Sequence, residues 1–227
     1  MTAYNLKTED DYSRQIKPVL YNTAADGSGT WLFAIVDTDG HVQVDNLSAL
    51  VAGANRIGTV SGVCKTVSVT KALESAVAYA IGDVLSETDT ASAGTAWTFS
   101  AIFRANNTGG YITKAVALCE TTAVTPRLTL FLFNATPTCE LDDNAANTAV
   151  LHADQAKYVG RIDFPAMMDI GTGDSEAIAT PGTYGNLPLW VDAATAADDL
   201  IGVLATRDAF TNTATNDMIL KLTLEQY

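Results

Sequence analysis

From residue 63 onward, apolar and polar residues alternate with a period of two between clusters of turn-forming residues. Val63, Lys65, Val67 and Val69 alternate with Cys64, Thr66, Ser68 and Thr70, and Trp97, Phe99, Ala101 and Phe103 alternate with Thr98, Ser100, Ile102 and Arg104. Successive strand side chains point to opposite faces, so each run predicts a strand with one buried face. Tyr111 to Glu120 reads as a long strand, and Leu128 to Phe133 (LTLFLF) as one buried on both faces. Shorter strands are predicted near Tyr79 to Leu85, Tyr158 to Asp163, Ala177 to Ala179, Leu187 to Val191, Leu200 to Arg207 and Met218 to Leu224. The only helical candidate in this region is a short one around Ala153 to Lys157. Strands spaced by turns, without long helical periodicity, define an all-β protein, an antiparallel β-sandwich or jelly roll. Its predicted core includes Val67, Val69, Trp97, Phe99, Phe103, Leu130, Leu132, Val203 and Leu222.

The first sixty residues follow a different pattern. Isolated large residues, Tyr4, Leu6, Tyr12, Ile16, Val19, Leu20 and Tyr21, interrupt a polar segment, and Pro18 opposes any helix there. This segment is expected to be an extended arm that docks on a partner. The apolar run Trp31 to Val36, the tetrad Asp37-Thr38-Asp39-Gly40 and His41 to Val44 predict a β-hairpin around an Asp-Gly turn. Asn46 to Gly62 reads as a linker rich in Ala, Gly, Ser and Asn. The expected organisation is therefore an N-terminal arm, hairpin and linker over residues 1–60 and a β-sandwich over residues 61–227. An isolated hairpin is marginal in water. The large side chains Tyr4, Tyr12, Ile16, Val19, Tyr21, Trp31 and Phe33 are thus the expected partner contacts.

Composition narrows the function. With 13 Lys+Arg against 26 Asp+Glu the formal net charge is −13, which repels phosphate backbones and anionic lipid heads. Direct nucleic-acid or membrane binding is not expected. The start, MTAYNLKTEDDYSRQ, lacks the basic and apolar regions of a signal peptide, and no stretch reaches the length of a membrane span. A soluble protein synthesised in the cytoplasm is expected. Cys64, Cys119 and Cys139 match neither a metal knuckle nor a redox pair and are expected to be buried free thiols.

Catalytic constellations are absent from the sequence. His41 and His152 lie in different segments and outside any metal-binding motif, no G-x-S-x-G nucleophile elbow is present, and no Gly-rich loop continues into a G-K-[ST] phosphate cradle. Carboxylates are abundant at Glu9-Asp10-Asp11, Asp37 with Asp39, Asp142-Asp143 and Asp198-Asp199. The Asp37 loop lacks the remaining ligands of a calcium loop, and Asp142-Asp143-Asn144 reads as a side-chain-stabilised turn before it reads as a calcium site. No cofactor, metal or catalytic residue is expected. Trp97 and Trp190 read as core residues, whereas Trp31 opens the hairpin, away from the main core.

Several strings carry a resemblance: GTWLFAIVDTDGHVQVD near the start, then LFLFNATPTCELDDNAA, LHADQAKYVGRI, LWVDAATAADDLIGVLATRDAF and a final hydrophobic strand. Together they resemble a group of tailed-bacteriophage virion structural proteins encoded beside the capsid genes. The resemblance implies a non-enzymatic decoration or cement protein on the outer surface of the capsid. Its partners would be the major capsid protein and further copies of itself, in a homotrimer or another cyclic oligomer. The alternative is a carbohydrate- or receptor-binding module of a phage tail or fibre, because sandwiches and jelly rolls are common lectin scaffolds. That alternative requires an exposed aromatic platform or a cation-bridged site.

Overall fold

A computed structural model of the chain describes residues 20–22, 31–33, 35–36, 42–43 and 63–226, apart from 123 and 183–185. The chain divides into two compact units, Met1–Thr59 and Val60–Tyr227. In the first unit β1 (Leu20–Asn22) pairs antiparallel with β2 (Trp31–Phe33), and β3 (Ile35–Val36) pairs antiparallel with β4 (Val42–Gln43). The second pairing is the predicted hairpin, with Val36 opposite Val42. The first is a difference from expectation: Leu20 and Tyr21, assigned to the arm, form strand backbone opposite Phe33 and Leu32.

The second unit is an all-β antiparallel sandwich. Its strands are β5 (Val63–Leu73), β6 (Val77–Tyr79), β7 (Val84–Leu85), β8 (Trp97–Phe99), β9 (Gly109–Cys119), β10 (Leu128–Phe133), β11 (Tyr158–Asp163), β12 (Met168–Asp169), β13 (Ser175–Ala179), β14 (Leu189–Asp192), β15 (Leu200–Thr206), β16 (Phe210–Asn212) and β17 (Asn216–Gln226). One sheet has six strands in the order β12-β13-β9-β17-β5, with β14 joined to the other half of β9's free edge. The other has five, β11-β10-β15-β7, with β8 also paired to β15. The pair β6-β16 stands apart from both. The expected helix at Ala153 to Lys157 is a single 3-10 turn over His152–Asp154.

A continuous core lies between the sheets. Ile112, Ala115, Ala117, Met218, Leu220 and Leu222 of the six-stranded sheet share it with Trp97, Phe99, Leu130, Leu132, Ile162 and Leu204 of the five-stranded sheet. β17 shows how sequence makes this face: every second residue from Asn216 to Gln226 is buried, and the residues between are half-buried. β10 and β15 are buried on both faces, as LTLFLF predicts, because Phe133, Ile201 and Val203 form a second, smaller core with Val84 and Cys139. Leu141, Ala149 and Val150, in the loop after β10, pack against that second core.

Three expectations are corrected. Val67 and Val69 are half-buried rather than interior, because β5 is an edge strand. The alternation from Trp97 to Phe103 is not one strand: β8 ends at Phe99, Ala101 is exposed at φ 49°, and Ile102 and Phe103 are both buried. Tyr79 to Leu85 is two strands in different sheets, separated by a turn in which Asp83 accepts the Ala80 N–H at 2.6 Å.

Close packing at the centre leaves no room at Gly202, on β15. A Cβ there would meet Leu130 Cδ1 at 2.8 Å and approach the Phe99 ring and Trp97 at 3.4 Å. Gly202→Ala should therefore destabilise the unit by roughly 1–3 kcal/mol through overpacking, read as a shift of the urea midpoint at unchanged slope. An alanine variant as stable as the parent would show that the two sheets separate more easily than this packing implies.

Candidate binding surface

The outer face of the six-stranded sheet carries several exposed apolar side chains. Strand registers place its side chains in rows. Trp190, Tyr111 and Glu225 lie across β14, β9 and β17; Ile178, Val116 and Lys221 lie across β13, β9 and β17; Glu176, Leu118 and Ile219 form the next row. At the β12 edge Met168 lies opposite Glu176 and is 68% exposed, and Ile170, just beyond, is 51% exposed. Exposed apolar residues thus stand among polar ones such as Lys114, Thr223, Thr66 and Ser68, a mixture that departs from the polar-outward alternation expected of a sheet facing only water.

Trp190 overturns an expectation. Read from sequence as core, it is 50% exposed, while its strand neighbour Val191 is buried. Alternation establishes that Trp190 and Val191 point oppositely, but not which of them faces inward. The Tyr111 and Trp190 rings meet edge to face, with centroids 5.1 Å apart and planes at 69°. Trp97 is buried as predicted and donates its indole N–H to the Leu85 carbonyl at 2.9 Å.

Apart from Ser175, whose buried hydroxyl has no hydrogen-bond partner among the described residues, the buried polar side chains described next hold the fold together. Asp143 accepts the Tyr79 hydroxyl and the Ser86 N–H, both at 2.7 Å, and burial pushes its carboxyl up to about 6. Tyr79 in turn stacks on Phe210 at 4.6 Å, which ties β6 to β16. Asp142 accepts the N–H groups of Ser92 and Gly94 at 2.7 and 2.8 Å, and these hydrogen bonds hold it below the usual carboxylate range. Asp142-Asp143 is thus a long-range tie between loops rather than a turn stabilised by its own side chains. Asp154, fully buried, accepts the N–H and hydroxyl of Thr138 and pairs with Lys157 at 3.2 Å.

Lys71 is a buried cation whose ammonium reaches Glu87, Ser86 and Thr95. Burial lowers the Lys71 pKa. Burial also works against the ionised form of Glu87, but hydrogen bonds from Lys71, Ser86 and Thr95 outweigh it and bring the carboxyl down to about 2. A cleft of about 460 Å³ lies at one end of the five-stranded sheet, lined by Leu128, Phe164 and Pro165 with Arg127 and Arg207 at its rim. Its arginines are engaged: Arg127 grips Asp208 through Nε and Nη2 at 3.0 and 2.6 Å, and Arg207 donates to Thr129 at 3.2 Å.

Among the described residues no group of three or more His, Cys, Asp or Glu side chains could hold a metal ion. His152 is exposed at the 3-10 turn, and His41, Asp37 and Asp39 lie outside the described residues. Cys119 and Cys139 are buried thiols, raised by burial to about 12 and about 11, whereas Cys64 is exposed, against expectation. No helix among the described residues is long and apolar enough to cross a membrane.

Of the expected partner contacts, Tyr4, Tyr12, Ile16 and Val19 lie outside the described residues. Tyr21, Trp31 and Phe33 are placed by backbone alone, Tyr21 opposite Leu32, Trp31 opposite Asn22 and Phe33 opposite Leu20. The surface containing Trp190 was missed from sequence; its one legible signal is a tryptophan in a short strand followed by an acidic segment, Asp192 to Asp199. No protein-family model matches the chain, and no curated protein matches it. Fold and surface together define an antiparallel β-sandwich with exposed apolar side chains on one outer sheet face.

Proposed function

We propose that this protein is a structural, non-enzymatic component of a virus particle. It decorates and cements the capsid of a tailed bacteriophage by binding major capsid subunits and neighbouring copies of itself as a cyclic oligomer. The observation that carries this reading is the outer face of the six-stranded sheet, where Met168, Ile170 and Ile178 stand exposed beside Val116 and Ile219. Exposed apolar side chains interspersed with charged ones suit attachment to a broad protein surface. The internal carboxylates, by contrast, are engaged in loop-to-loop hydrogen bonds rather than gathered around a reaction site. The resemblance to virion structural proteins and the acidic balance of the chain support an outer-surface location. Partner contacts from Tyr12 and Trp31 would add a second attachment, and two weak contacts on one chain reinforce each other through effective concentration.

Co-sedimentation of the purified protein with undecorated capsids tests the reading. The wild type should pellet with particles at near-capsid stoichiometry. Met168→Asp with Ile178→Asp should weaken attachment by roughly 1–4 kcal/mol, the range of interface anchors. Deleting residues 2 to 45 should remove the second attachment and leave a folded sandwich. A wild-type protein that stays in the supernatant with every capsid preparation would overturn the assignment.

A further inference from the structure

The aromatic pair at the far end of the same sheet face has a geometry that the capsid-binding reading does not use. Trp190 and Tyr111 lie some five residues along β9 from Val116, on the order of 15 Å away at strand rise. We infer that the Trp190 indole, braced by Tyr111, is a stacking platform for a neutral pyranose saccharide.

Three observations carry the assignment. First, the Trp190 ring rests against a glycine. Gly109, diagonal to it on β9, has its backbone so close that a Cβ would lie 2.5 Å from Trp190 Cζ2 and 2.8 Å from Cη2. Only a residue without a side chain lets the indole rest there, and the indole remains 50% exposed. Second, Tyr111 packs edge to face against the indole, which fixes the plate from its side. An indole that snorkelled freely would have neither support.

Third, the surroundings select the ligand. Asp192 lies opposite Gly109 and Glu225 lies opposite Tyr111, so carboxylates flank the plate along β14 and β17. Carboxylates accept hydrogen bonds from hydroxyl groups and repel anions. The face of a pyranose ring that carries axial C–H bonds is polarised positive and is drawn to the negative face of an aromatic ring. An exposed indole with hydroxyl acceptors at both sides therefore fits a neutral sugar better than an acidic sugar, a nucleotide or a phospholipid head. It is open rather than concave, so it suits one face of an oligosaccharide chain and moderate affinity. No cation participates in such stacking.

The test is an array of neutral glucose-, galactose- and N-acetylhexosamine-containing oligosaccharides probed with the full chain, followed by calorimetric titration of the strongest array ligand. Wild type should bind, and EDTA should not change the binding. Trp190→Ala should weaken it at least ten-fold, and Trp190→Phe should restore part of it by keeping a flat ring. Gly109→Ala should also weaken it, by displacing the indole without removing it. Met168→Asp with Ile178→Asp should leave it intact, while Trp190→Ala should still attach to capsids, so the saccharide site and the capsid reading fail separately. Circular dichroism and thermal melting confirm that each variant is folded. The platform is overturned if no neutral oligosaccharide binds wild type, if Trp190→Ala binds like wild type, or if chelation abolishes binding.

Discussion

Replacing Phe99 by alanine is expected to lower the unfolding free energy of the second unit by roughly 3–5 kcal/mol, the range for a buried phenylalanine. Phe99 is fully buried on β8, opposite Leu200 of β15, at the point where the two sheets meet. Its surroundings are poorly able to collapse into the vacated space. Trp97 on the same strand is anchored by its hydrogen bond to Leu85, and the adjoining stretch of β15 is held between β10 and β8. A cavity should therefore persist, and the cost should fall near the top of the range. Urea unfolding followed by fluorescence measures it, with Thr98→Ala, on the exposed side of β8, as a control expected to shift stability by less than about 0.5 kcal/mol. A loss below 1 kcal/mol in the Phe99 variant would mean that the intersheet core is far more plastic than its packing suggests.

The second large effect is a pH dependence centred on Asp143. Its folded pKa, about 6, lies above its ordinary value of 3.8 because burial disfavours the charged form. Hydrogen bonds from Ser86 and Tyr79 oppose the shift, and the neighbouring acids Glu74 and Asp89 add to it. For a raised pKa the stabilising contribution is fully present below about pH 4 and is lost as pH rises through 6. At about 1.4 kcal/mol per pH unit the loss amounts to about 3 kcal/mol. Asp143→Asn keeps an oxygen for the Ser86 N–H and an amide opposite the Tyr79 hydroxyl, which can accept as well as donate. The difference in unfolding free energy between variant and wild type should move by about 2.5 kcal/mol in the variant's favour between pH 4 and 7. Glu87, lowered to about 2, works in the opposite sense, so its contribution is lost as pH falls through 2 and stays present above about pH 4.5. It is common to both proteins and cancels in the difference. A flat difference across this window would show that Asp143 titrates as an ordinary carboxylate.

Sequence reasoning succeeded where a single physical signal determined the outcome. In β17 strict alternation fixes both the strand and its buried face, and in Leu128 to Phe133 an apolar run broken only by Thr129 fixes burial on both sides. It failed where the outcome depended on a neighbour distant in sequence. Val67 and Val69 alternate as well as Leu220 and Leu222 do, but β5 has a partner on one side only. Trp190 carries the same local pattern as a core residue, and only the pairing of β14 with β9 places it outside. Asp142 and Asp143 look alike in sequence, yet the first closes an exposed loop while the second is buried beneath Tyr79, 64 residues away. Such distinctions reside in the topology rather than in any window of sequence.

That topology also sets the order in which the sandwich can come together during synthesis. β17 occupies an interior place in the six-stranded sheet, between β9 and β5, although it is the last strand of its unit. Its partner β5 is the first, and the Thr66–Thr223 hydroxyl contact between them spans 157 residues. Until the segment Asn216–Gln226 leaves the ribosome, β5 has no strand to pair with and the inward face of β9 lacks the row of Met218, Leu220, Leu222 and Leu224. Closure of so long a loop comes late and is slow. The nascent chain therefore stays open until this last strand of the unit arrives as a keystone between β9 and β5.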